Sequence, residues 1–80
     1  MTSETVKAAW KATPFVPFRL HMGGGRSLDV DHSGFFSMSP TGRIATVYGR
    51  KDEAEVIDIF MVQSIEFLPG KAGVRRRKAG

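Results

Sequence analysis

Residues 55–68 read Glu55-Val56-Ile57-Asp58-Ile59-Phe60-Met61-Val62-Gln63-Ser64-Ile65-Glu66-Phe67-Leu68, the longest dense apolar stretch of the chain. Val56, Ile57, Phe60, Met61, Ile65 and Leu68 can share one face of a helix. Against a helix stand the many β-branched and aromatic residues and the tight charged loop just before them, which itself follows a strand-like segment. Ile57 and Ile59 alternate about Asp58, and Ile65 and Phe67 about Glu66, the period of two that marks strands. Met61-Val62-Gln63-Ser64 lacks that alternation. The stretch is therefore expected to form two short strands joined by one turn at Met61–Ser64, closing a small β-barrel, with Asp58 and Glu66 pointing outward.

Working back from it, Gly49-Arg50-Lys51-Asp52-Glu53 is turn chemistry, and Arg43–Tyr48 is a strand with Ala45 and Val47 on one face. Ser39-Pro40-Thr41-Gly42 is a β-turn with proline in its second position. Gly34 bends a long strand that starts near Arg26 and continues past Phe35 and Phe36. Gly23-Gly24-Gly25 closes a hairpin between Phe18–Met22 and Arg26–His32. A three-residue loop places Phe18 opposite Val30 and Leu20 opposite Leu28 on one face, with Arg19 opposite Asp29 on the other. A two-residue loop loses both matches. The prolines of Pro14-Phe15-Val16-Pro17 keep that segment out of a central strand. Residues 3–12 form a short helix whose apolar stripe is Val6, Ala9 and Trp10, with Ser3 as its cap and Pro14 beyond its end.

Eighty residues hold one domain, with so small a buried core that packing or self-association must supply the stability. Cysteine is absent, which removes disulfides, thiolate metal sites and cysteine nucleophiles. No apolar run approaches a membrane span and the N-terminus has no signal-peptide pattern, so a soluble, cytoplasmic protein without a membrane partner is expected. The net charge of +4 is unevenly placed: residues 1–70 hold seven basic and eight acidic side chains, whereas the last ten hold five cations. Residues 1–70 are thus expected to be the domain, and 71–80 a basic, disordered tail.

The strand–glycine–arginine turn Leu20–Arg26, Gly34-Phe35 on the bent strand and Ile57–Leu68 together resemble the Sm-like fold. The chain is also similar to a family of short, uncharacterised bacterial proteins in Pro14–Phe18, Gly25-Arg26, Val30-Asp31-His32, Ser39–Arg43, Ile57-Asp58 and Val62–Glu66. The resemblance implies a mainly β fold, a small five-stranded, strongly bent SH3-type/Sm-like barrel with a short N-terminal helix. It implies assembly into rings through strand edges, with RNA binding as a family trait. The Asp-x-x-x-Asn and Arg-Gly segments of the Sm nucleotide pocket have no counterpart here: Phe35–Ser39 and Ile59–Met61 stand in their places.

Candidate chemistry is sparse. His21, Asp29 and Asp31, with His32 only if the bend turns it back to their face, are the residues from which an ion site could be built, but alternating strands commonly present such a polar face to solvent, and the expectation is no metal and no cofactor. Gly23–Gly25 precedes a strand rather than a helix, which argues for a hairpin turn over a phosphate loop. No hydroxyl–histidine–carboxylate set and no small-molecule substrate site stand out, so an enzyme is not expected. Lys71, Arg75, Arg76, Arg77 and Lys78 are the candidate nucleic-acid-binding residues, suited to RNA or DNA phosphates. The sequence thus points to an assembly module that pairs with itself through strand edges, with nucleic-acid binding by the tail as the alternative.

Overall fold

Gly24 and Gly25 adopt positive φ (74° and 78°), a backbone open mainly to glycine, and this fixes the loop between the first two strands. The computed structural model describes residues 1–71. In it β1 (Phe18–Met22) and β2 (Ser27–Val30) pair antiparallel as Phe18↔Val30, Arg19↔Asp29, Leu20↔Leu28 and His21↔Ser27. The register argued from the apolar matches is the register formed, and Met22 N donates to Arg26 O at 2.8 Å across the three-glycine turn.

The long bent strand is broken in two. Ser33–Phe35 winds into one 3-10 turn at Gly34, and β3 (Phe36–Met38) starts afresh beyond it. β3 pairs with β4 (Ile44–Tyr48), and β4 with β5 (Ala54–Asp58). A second 3-10 turn, Ile59–Met61, leads into β6 (Val62–Phe67), which returns to β1. The result is six strands in two antiparallel sheets, ordered β2-β1-β6 and β3-β4-β5. The expected five-stranded closed barrel is corrected on both counts. The turn at Gly34 divides the second strand, and among the described residues no ladder joins β5 to β6.

The expected connection at Met61–Ser64 also moves, to Ile59–Met61. Val62–Ser64 already belongs to β6, where Met22 pairs with Val62 but His21 with Ser64, leaving Gln63 as a bulge. A bulge inserts one residue and resets the alternation. Val62 points inward, Gln63 and Ser64 are both exposed, and Ile65 turns back toward the core.

Helix α1 (Ser3–Lys11) is capped by Thr2 rather than Ser3: the Thr2 hydroxyl accepts from Thr5 N at 3.3 Å. Val6 and Ala9 are buried, and the Trp10 indole N–H donates to Ser33 O at 2.9 Å, pinning the helix to the corner between β2 and β3. Every element feeds one core, in which Phe18, Leu20, Ile59, Val6, Val30 and Val62 are fully enclosed. Phe18 is its hub, with ring centroids 5.8 Å from Phe15, 6.1 Å from Phe36 and 6.5 Å from Phe67. No helix among the described residues is long and apolar enough to cross a membrane.

Candidate functional site

The outward face of β1 and β2 carries the polar residues singled out in the sequence, and the fold gives each a partner from the chain. Arg19 grips Asp29 with two hydrogen bonds, Nε to Oδ1 at 2.6 Å and Nη2 to Oδ2 at 3.1 Å. Lys71 Nζ donates to Asp29 Oδ2 at 3.2 Å and also pairs with Asp31 Oδ1. That oxygen is shut off from solvent and takes no well-aligned hydrogen bond, so the ammonium charge compensates it. Arg50 reaches over from the β4–β5 loop to Asp31 Oδ2 at 3.0 Å.

These contacts shift the titrations. The Arg19 hydrogen bonds, aided by Lys71, hold the Asp29 carboxyl below its ordinary value. Partial burial alone would push Asp31 up, but Lys71 and Arg50 outweigh it and its carboxyl is also lowered. The Lys71 ammonium is raised, by Asp31 first and then Asp29.

His21 does not join the two aspartates. Its ring Nε2–H donates to Glu66 Oε1 on β6 at 2.9 Å. Asp29 and Asp31 meet cations, and among the described residues no group of three His, Cys, Asp or Glu side chains is placed to hold a metal. Of the proposed nucleic-acid ligands, Lys71 is engaged by these two aspartates. Arg75, Arg76, Arg77 and Lys78 lie outside the described residues.

The apolar surface lies elsewhere. Ile44, Tyr48, Val56, Phe60, Met61 and Phe67 are large hydrophobic side chains left exposed, Val56 at 66% and Phe60 at 61%. All six belong to β4, β5, β6 and the turn between the last two. Ile44 and Tyr48 share the outer face of β4, and Val56 stands opposite Thr46 beside them. Among the described residues β5 and β6 are each the outer strand of their sheet, so each presents one row of unladdered backbone N–H and C=O groups. The Ile59–Met61 turn between them is held by Asp58, whose Oδ1 accepts from Phe60 N at 2.9 Å. That backbone hydrogen bond, with Arg43 adding, lowers the Asp58 carboxyl. Phe60 is thereby presented to solvent, with the Arg43 guanidinium 4.8 Å from its ring centroid.

Among the phenylalanines, Phe18 and Phe36 are buried and Phe15 and Phe35 half-buried, whereas Phe60 and Phe67 are exposed. The available signal was Asp58 two residues before Phe60, an Asx-type turn starter inside an apolar run. No protein-family model, curated protein or solved structure matches the chain.

Proposed function

We propose that this chain is a small SH3-type/Sm-like β module that assembles with copies of itself through the edges of β5 and β6. One observation carries the reading: two outer strands, adjacent in sequence, flank a turn that exposes Phe60 and Met61, with Val56 and Phe67 on the strands themselves. Unladdered strands are templates for strand addition, and self-pairing satisfies their backbone groups while covering the apolar side chains. Exposed Val, Phe and Met on so small a domain also mark a surface that gains from burial. The strand order supports the SH3-type comparison. Taking β2 and β3 as one strand bent at Gly34, the chain runs from β1 through the bent strand to β4 and β5, and β6 returns beside β1.

The test is to charge the edge without touching the core. Val56→Lys combined with Phe60→Lys is expected to reduce the species to a folded monomer in sedimentation velocity. An unchanged oligomer in that variant would assign assembly to another surface.

The second reading, nucleic-acid binding by the tail, rests on the concentration of cations after residue 70. With Lys71 paired to Asp29 and Asp31, phosphate contacts in this reading fall to Arg75, Arg76, Arg77 and Lys78. RNA affinity that drops steeply with salt and vanishes on removing residues 72–80 would support it. Affinity unchanged by that truncation would refute it.

A further inference from the structure

Most cations of the described residues have carboxylate partners: Arg19 and Lys71 on Asp29, Arg26 on Glu55, Arg43 on Asp58 and Arg50 on Asp31. Lys7, Lys11 and Lys51 have none among the described residues. Two of these three stand four residues apart on α1, which puts them on one side of the helix, where like charges repel. Both line a groove of about 400 Å³ between the helix and the Met38–Gly42 turn. Trp10 forms part of the wall, and Ser39 and Thr41 bring hydroxyls from the turn. Glu4 also borders the groove but pairs with neither lysine.

The Trp10 ring is fixed before any ligand arrives. Its N–H is bonded to Ser33 O, and Phe36 packs against it at 5.5 Å and 66°. The Lys11 ammonium lies 4.1 Å from the ring centroid, occupying one face of the indole by a cation–π contact. A flat aromatic ring can take that face while the ammonium swings to an anion.

We propose that this groove binds a nucleotide unit, its phosphate between Lys7 and Lys11 and its base on the Trp10 indole. The volume falls in the usual range for small-ligand sites. An acidic peptide would be met by the lysines alone, whereas a base uses the preset indole as well. The proposal is independent of the assembly reading and of the basic tail.

Trp10 is the one tryptophan of the chain, so its fluorescence reports on the groove directly. The full chain is titrated with adenosine monophosphate, with adenosine and with a short oligoadenylate. Saturable quenching is expected from the monophosphate, with adenosine much weaker. Lys7→Ala with Lys11→Ala should weaken binding about tenfold or more, for the loss of charge-assisted contacts. Both lysines are exposed, so this variant should keep its melting temperature. Replacing Arg75, Arg76 and Arg77 by alanine should leave the quenching by monophosphate unchanged. Tighter binding of the oligoadenylate would assign the unit to a nucleic-acid strand, and equal affinity to a free nucleotide. No quenching at millimolar monophosphate would overturn the proposal, as would quenching that survives the double lysine variant and is lost with the arginines.

Discussion

Phe18, one of six phenylalanines and preceded by a proline, is the first residue of β1. In the fold it is fully enclosed, lies between β2 and β6, and contacts three other rings. Phe18→Ala is expected to cost ~3–5 kcal/mol. Against the ~5–15 kcal/mol typical of domains, that leaves a largely or marginally folded protein in urea titration. Gly42 makes a second residue-scale case. Its φ of 77° is left-handed, and an added Cβ would sit 2.7 Å from Ser3 Cβ on the helix. Gly42→Ala is expected to lose roughly 1–2 kcal/mol from the backbone alone, and the clash should loosen α1 from the turn. A drop in melting temperature checks this; an unchanged value would contradict both the backbone strain and the clash with Ser3. Asp58 carried the signal of an Asx-type turn starter, but its place between two alternating isoleucines pointed instead to an outward strand residue. Its role depends on the chain turning at Ile59, which alternation concealed.

At the scale of elements, the hairpin of β1 and β2 was fully legible. Three glycines and an alternating apolar face admit one register, and residue-level pairings such as Arg19 with Asp29 followed from it. The bend at Gly34 was legible, but not that one 3-10 turn would split the strand. The junction between β5 and β6 was misplaced because the bulge at Gln63 puts two successive residues outward, imitating a turn in the sequence pattern. Neither Lys71 pairing with Asp29 and Asp31 nor Arg50 reaching Asp31 was foreseen. These contacts join residues 19 to 42 positions apart, which no local pattern reports.

That network predicts a pH dependence. The Asp29 and Asp31 carboxyls lie below their ordinary value of 3.8 in the folded chain. Their contribution is present above that pH and is lost as pH falls through the lower folded values. Lys71 is raised above its ordinary 10.5, so its contribution is present below that pH and is lost as pH rises past the folded value. Melting temperature should therefore fall below about pH 4 and again in strong alkali. Asp31→Asn should flatten the acid limb. An acid limb of the same depth in that variant would show that the Asp31 contacts add nothing to stability.

The whole molecule combines a closed core with an unclosed perimeter. Strands that continue through 3-10 turns link the two sheets at two corners, and the corner between β5 and β6 carries the exposed Phe60 and Met61. A chain of 8.8 kDa has little interior to spare for stability, which makes a shared surface advantageous. The sequence showed the apolar residues of this corner but not which of them face solvent. Only the positions of β5 and β6 at the sheet edges show which of them remain outside.

Assembly through the β5 and β6 edges is tested by sedimentation equilibrium of the full chain at several concentrations, beside the Val56→Lys, Phe60→Lys variant. The full chain is expected at a mass that is a multiple of 8.8 kDa, dissociating on dilution, and the variant as a folded monomer. A folded wild-type chain that stays at the monomer mass at every concentration would contradict it.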